Sequence, residues 1–203
     1  MTLINDNPSP ITCAIADTET TGLLATDQIC SVSWLGLSDL PDLAIKQTYD
    51  ELFAISGAMP FAAQKIHKIT KKDLVGKPRF SSISQLGIPE SVEYIIFHNA
   101  AYDWDKMLKK PLPVKVICTM KLAKMLLPIE EGCSMSPSGK FRSYKLVDLI
   151  SDIYPEQRDF IFSGAHGAKF DCRLTWLLVR YFVENWELNS WEELYELQMR
   201  VGK

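Results

Sequence analysis

The chain has 203 residues, 47% hydrophobic and 23% charged; this excludes a disordered or collagen-like polymer and predicts one domain with a core large enough to need no disulfide or structural metal. Lysine and arginine number 22 against 25 aspartates and glutamates, a formal net charge of −3, which argues against attachment to nucleic acid or membrane by bulk positive charge but leaves room for a local basic face. The five cysteines, Cys13, Cys30, Cys118, Cys133 and Cys172, form no C-x-x-C pair, the N-terminus lacks a basic, apolar leader, and the most apolar segment, Leu174 to Val183, is broken by Arg180. The expectation is a cytoplasmic protein with reduced thiols, no disulfide-linked partner and no membrane association.

In chain order, residues 1–10 are polar and proline-containing and read as a frayed lead-in. Ile11 to Asp17 reads as a buried strand, and Gln28 to Leu37 and Leu43 to Tyr49 as second and third strands separated by a turn-rich segment. Pro60 to Ile69 reads as a helix, Glu93 to Phe97 as a fourth strand, Asn99 to Leu108 as the helix that follows it, Val114 to Cys118 as a fifth strand and Thr119 to about Leu126 as a helix. Residues 128–142, rich in Pro, Gly and Ser, read as a loop; Ser143 to Ile153 and Ala168 to Asn185 have helical spacing, and Ser190 before Trp191-Glu192-Glu193 is a capping-box signature for a last helix. Three strands in a row followed by strand–helix alternation predict an α/β fold, a mixed central sheet flanked by helices. The domain runs over residues 11–185, with residues 186–203 as a C-terminal helical extension.

Three short segments deliver acids to element boundaries. In Asp17-Thr18-Glu19-Thr20-Thr21-Gly22, the two carboxylates are two apart on a strand and project to one face, where they repel unless a cation lies between them. Hard oxygen ligands favour Mg²⁺ or Mn²⁺ there, although the fragment alone equally fits a solvated turn capped by threonine. In His98-Asn99-Ala100-Ala101-Tyr102-Asp103, a second strand end leads to an acid in the first turn of a helix, a position that dipole stabilisation alone explains. In His166-Gly167-Ala168-Lys169-Phe170-Asp171, five positions span about 500° of helix. A shared site therefore requires His166 in a preceding loop, which Gly164 and Gly167 permit, and Asp171 in the first helical turn; a surface histidine beside a helix-start aspartate is the alternative.

Together, the three blocks resemble the three motifs of the DEDDh exonucleases of the ribonuclease H-like superfamily, over roughly residues 11 to 185. Ile66-His67-Lys68-Ile69-Thr70 with Lys77-Pro78, and Ile117 to Lys124, are similar to the exodeoxyribonuclease X branch of that family, from which the stretch between Pro128 and His166 and the tail after Asn185 depart in length. The resemblance implies a ribonuclease H-like fold and two-metal 3′-to-5′ hydrolysis of phosphodiesters at DNA 3′ ends, releasing nucleoside 5′-monophosphates. It implies Asp17 as the bridge between two divalent ions, Mg²⁺ or Mn²⁺. Glu19 and Asp171 would serve the ion that activates water, Asp103 would hold the second through water, and His166 would be the general base. It also implies a pocket for the 3′-terminal nucleotide at Thr20, Gly22 and Leu23, with Leu23 against the last base. His98 and Asn99 are expected to orient the second motif, and His67 to be structural or a rim contact.

Six basic residues against one acid between Pro60 and Phe80, and six lysines against two acids between Asp103 and Lys124, are candidate phosphate-tracking faces. Phe61, Phe80 and Tyr102 are candidate stacking platforms, each equally explained by core packing. Two rival readings are a 3′-to-5′ exoribonuclease and a non-catalytic nucleic-acid-binding or polymerase-associated module. Complete ligand and base sets argue against the second. A homodimer or a polymerase or repair partner is compatible with the sequence.

Overall fold

A computed structural model describes residues 10–108, 112–127 and 143–200. The lead-in expected over residues 1–10 and the loop expected over 128–142 lie almost wholly outside the described residues. The sheet is built from β1 (Cys13–Thr20), β2 (Ile29–Leu37), β3 (Ile45–Leu52), β4 (Tyr94–Phe97) and β5 (Lys115–Cys118), in the order β3-β2-β1-β4-β5. β1, β2 and β3 form an antiparallel meander, whereas β1 pairs parallel with β4, and β4 with β5. The helices are α1 (Phe61–His67), a π-helix over Ala101–Leu108, α2 (Thr119–Leu126), α3 (Leu146–Ile153), α4 (Arg158–Gly164), α5 (Ala168–Asn185) and α6 (Trp191–Met199). The mixed α/β sheet expected from the sequence is present.

Strand side chains alternate between faces, and β1 shows what the alternation achieves. Cys13 and Ile15 enter the core that β1 shares with α2, α3, α5 and α6, whereas Ala14 and Ala16 enter the opposite core, with Trp34, Phe53, Phe97 and Trp104. β2 is buried along its whole length because both faces are covered. Parallel pairing of β1 with β4 ends at Ile15 opposite Ile96, yet β1 runs on to Thr20. The chain leaving β4 at His98 turns away, and a crevice opens at the carboxyl ends of two adjacent parallel strands. Open α/β sheets place their ligands in such a crevice.

Two features go beyond what the sequence pattern announces. The segment before α5 forms a helix, α4, that sequence periodicity does not announce: its consecutive Phe160, Ile161 and Phe162 lack helical spacing, and only Ile161 is buried. The helix after β4 is wound as a π-helix, a form that tends to occur at functional sites.

The final helix belongs to the core. Trp191 and Leu194 are buried in the cluster formed by α2, α5 and β1. Ser190 caps α6 by accepting from the Glu193 N–H at 3.2 Å, and the Glu193 carboxylate reaches back to the N–H of Asn189 rather than that of Ser190. Gln198, 4% exposed, lies along the outer edge of β5: its Oε1 accepts from the Cys118 N–H at 2.9 Å and its Nε2 donates to the Val116 carbonyl at 2.6 Å. One side-chain amide thus supplies both bonds that a sixth strand would make there. Replacing Gln198 by Leu strands a buried donor and a buried acceptor and is expected to cost about 1–3 kcal/mol in urea-unfolding stability. Gln198→Glu, which keeps the acceptor but loses the donor, should be destabilised as well; wild-type stability in both would show that the edge bonds contribute nothing.

Candidate active site

The alternation along β1 builds the site. Asp17 and Glu19 continue the Cys13–Ile15 face and therefore point toward α5, which packs against β1 and β2. α5 starts after Gly167 and places Asp171 in its first turn. The adjacent Cys172 is buried, its thiol donating to the Ser33 carbonyl at 3.3 Å, which fixes this turn against the sheet. One carboxylate oxygen from each of Asp17, Glu19 and Asp171 lies within 4.8 Å of the others.

Thr18 and Thr20 point to the other side, toward the π-helix. Asp103, 5% exposed, accepts at Oδ1 from both the Thr18 hydroxyl (2.7 Å) and the Thr18 N–H (3.2 Å). The Tyr102 hydroxyl donates to the Gly22 carbonyl at 2.8 Å and lies against the Thr20 hydroxyl. Strand and π-helix are thereby joined side chain by side chain, and Asp103 sits outside the three-carboxylate group but within its electrostatic reach. Thr18 is the site position that sequence reasoning missed, since it carries no signal beyond its place between two acids; Tyr102, expected as a stacking platform or a core aromatic, instead uses its hydroxyl to hold the Gly22 carbonyl.

Burial and mutual repulsion act in the same direction on the carboxyl groups. Asp17 is held well above the ordinary carboxylate range, first by burial and then by Asp103, Asp171 and Glu19. Burial, then Asp171 and Asp103, raise Glu19 to about 8. Burial also raises Asp103 to about 7 despite the opposing Thr18 hydrogen bonds, and Asp171 to about 6 against the opposing bond from the His166 N–H. A set of acids that resists ionisation in one crevice is the donor chemistry that a divalent cation relieves.

His166 lies just before α5, in a left-handed backbone conformation (φ 66°), and its N–H donates to Asp171 Oδ1 at 3.2 Å. The residue that takes the unusual conformation is thus the histidine itself, not Gly164 or Gly167. Gly164 ends α4, where a Cβ would fall 2.6 Å from the Phe170 ring, and Gly167 is extended (φ −128°). The His166 ring is exposed and lines the cleft; burial of part of the ring, then Lys68 and Lys145, lower its pKa.

The expected nucleotide pocket is an internally braced loop. Thr20 is buried, and its hydroxyl donates to the Gly22 carbonyl at 2.7 Å. Gly22 is needed by its neighbour Asp27: a Cβ there would lie 2.5 Å from Asp27 Oδ2, the oxygen that accepts the Leu24 N–H. Leu23 and Leu24 project outward, 75% and 68% exposed.

His98 is buried at the wall of the cleft, with both ring nitrogens engaged by protein. Its Nε2 bonds the Tyr144 carbonyl at 2.9 Å and its Nδ1 the Thr119 hydroxyl at 3.0 Å. A carbonyl only accepts, so the proton sits on Nε2; burial lowers the ring's pKa to about 4. Asn99 offers its carbonyl to the N–H groups of Tyr102 and Asp103. His67 is structural, buried at the end of α1 with Nδ1 accepting from the Ile69 N–H.

The basic stretches are partly engaged by protein. Lys77 pairs with Glu51, Arg79 bonds Ser56, Lys71 bonds the Ile55 carbonyl and Lys115 pairs with Glu192. Lys109 and Lys110 lie outside the described residues. Phe80 is packed edge-on against Phe53, whereas Phe61 is exposed. The cleft itself, about 520 Å³, is lined by Asp17, Asp103, Asp171, His166 and Tyr102 together with Met120, Lys145 and Phe162.

Residues 14–178 match the RNase T exonuclease family model. Among solved structures, exonuclease X in complex with 5′-overhanging duplex DNA is similar with a TM-score of 0.68 and 22% identity, over 92% of this chain and 99% of that one. E. coli exonuclease I in complex with a dA16 oligonucleotide gives 0.64 and 12%, over 92% of this chain and 42% of the other, so the chain spans less than half of that protein. Cell-death related nuclease 4 gives 0.61 and 12%, over 86% and 64%. No curated protein sequence matches. At these identities the structural likeness is one of fold, the ribonuclease H-like mixed sheet. The family match extends over most of the sequence, from the start of β1 into α5, and the chain belongs to the RNase T exonuclease family.

Proposed function

We propose that the protein is a divalent-metal-dependent 3′-to-5′ exonuclease that removes nucleoside 5′-monophosphates from DNA 3′ ends in a reducing, cytoplasmic compartment. The observation that carries this reading is the convergence of Asp17, Glu19 and Asp171 within 4.8 Å, with Asp103 beside them and His166 on the same cleft. DNA as the substrate is supported by the solved complexes of exonuclease X and exonuclease I with DNA. The four described cysteines are free, in keeping with a reducing compartment. No helix among the described residues is long and apolar enough to cross a membrane.

Asp17, Glu19 and Asp171 would hold the cations, and Asp103 would complete the set with Oδ2, since Thr18 occupies Oδ1. Bound Mg²⁺ or Mn²⁺ supplies charge stabilisation at the attacking and leaving oxygens of the phosphodiester. His166, with its pKa lowered, is neutral near pH 7 and accepts the proton of the attacking water at a ring nitrogen. The Asp171 carboxylate, bonded to the His166 N–H, fixes where that ring leaves the backbone. The braced Thr20–Leu23 loop presents exposed Leu23 to the terminal base, and the Tyr102 hydroxyl holds the loop to the π-helix.

Digestion of 3′- and 5′-labelled DNA and RNA oligomers, with and without Mg²⁺, tests the reading. Mononucleotide release from the 3′ label of DNA is expected only with metal; release from the 5′ label, or an RNA-only activity, would reject the polarity or the substrate. His166→Ala should lower the single-turnover rate by about 10²–10⁴-fold while sparing oligonucleotide affinity, and an unchanged rate would remove His166 from the mechanism. The raised carboxyl groups predict a pH dependence with a definite sign. In metal-free protein the folded state holds protons that the unfolded chain releases near the ordinary carboxylate range, so stability falls as pH rises through about 6 to 8. Thermal unfolding in EDTA should therefore give a lower Tm at pH 8 than at pH 5, with Mn²⁺ restoring most of the loss in wild type but not in Asp17→Asn. A flat profile would contradict the crowded-acid description.

A further inference from the structure

Lys145 is the one lysine or arginine among the described residues that line the cleft, where it stands with Asp17, Asp103, Asp148 and Asp171. Its side chain is exposed, and among the described residues its ammonium enters no ion pair or hydrogen bond. Its place is locally unfavourable, because it occupies the N-cap of α3 and so brings a cation to the positive end of a helix dipole. Side-chain capping does not explain it either, since lysine has no acceptor for the free N–H groups of the first turn. Asp148 in the first turn answers the dipole, so Lys145 serves neither the cap nor the dipole, the pattern of a position with another task.

The backbone before Lys145 is held in place. The buried His98 ring spans from the Thr119 hydroxyl at the start of α2 to the Tyr144 carbonyl, so the strand end that leads to Asp103 is tied to the residue preceding Lys145. Lys145 also lies near enough to His166 for its charge to act on that ring. The cleft thus has acids on the β1, π-helix, α5 and α3 sides and, among the described residues, a single lysine or arginine at the start of α3.

We propose that Lys145 contacts the nucleic-acid strand, its ammonium binding a non-bridging phosphate oxygen of the substrate at the α3 lip of the cleft. The proposal rests on the exonuclease reading for the identity of its ligand. The acids and the cations they would hold neutralise each other's charge but give nothing to a phosphate oxygen turned away from them; an ammonium on the far lip does. His98 is then a positioning residue that acts through the Tyr144 carbonyl.

The test separates binding from hydrolysis. Binding of a 5′-fluorescein oligodeoxynucleotide is followed by anisotropy in Ca²⁺ over a series of salt concentrations, for wild type, Lys145→Ala and Lys145→Arg. Circular dichroism melts confirm that each variant is folded. Lys145→Ala should lose roughly tenfold in affinity, as for one charge-assisted hydrogen bond, and its log–log salt slope should fall by about 0.7–1. Lys145→Arg should recover most of both. The same oligomer carrying a single neutral methylphosphonate, placed at successive linkages from the 3′ end, should erase the Ala penalty at one linkage and leave it elsewhere. An Ala variant with wild-type affinity and slope, or a penalty equal at every linkage, would overturn the contact. Wild-type protein that binds the oligomer yet releases no mononucleotide in Mg²⁺ would overturn the exonuclease reading, while the methylphosphonate series would still decide whether Lys145 touches phosphate.

Discussion

Repulsion among carboxyl groups is the constraint around which the rest of the molecule is arranged. Asp17, Glu19 and Asp171 meet within 4.8 Å in a half-buried crevice, and Asp103 adds its field from the next element. A protein left to its own packing preferences would replace such a group by apolar side chains or separate its members. Here the surrounding structure forces the acids together. β1 is central in the sheet and paired on both sides, α5 is pinned by the buried Cys172, and the Thr18 hydrogen bonds hold Asp103 in place. The unfavourable energy is localised, and burial of the two cores on either side of the sheet offsets it.

Buried groups brace the exposed ones around the cleft. His166 and Leu23, which the proposed function places against the substrate, are both exposed, yet neither hangs on a slack loop. The His166 N–H is tied to Asp171, and the segment carrying Leu23 is closed by the Thr20, Tyr102 and Asp27 contacts. Groups positioned in advance lose less freedom when the substrate arrives and act in a fixed geometry when charge develops.

The acids were legible in the sequence because each lies at a boundary that composition announces: Asp17 and Glu19 after a small-residue strand, Asp103 after Tyr94–Phe97, Asp171 after a glycine-bounded break. The five-stranded mixed sheet and α2 and α5 followed from the same patterns. What was hidden depends on partners far away in the chain. Thr18 acquires its role only when Asp103 arrives, Gly22 only when Asp27 folds back on it, and Gln198 only when α6 lies along β5. No local periodicity encodes these contacts. α4 was hidden for the opposite reason, because a run of three apolar residues carries no period even though one of them reaches the core.

The division of labour along β1 limits how this site can change over time. Odd-numbered residues from Cys13 to Glu19 serve one core and the acid cluster, and even-numbered residues from Ala14 to Thr20 serve the other core and the link to the π-helix. A strand has a side-chain period of two, so inserting or deleting one residue beyond Cys13 would exchange the two sets wholesale. Carboxylates would then face the π-helix and threonines would face α5. β2 pairs with β1 in unbroken register from Cys13 to Glu19, and the one shift falls after Glu19, so no slack lies ahead of the acids in which a slip could be absorbed. Descendants of this chain can therefore vary the identity of single residues on β1 but not their number, and length variation is confined to the connections outside the strand.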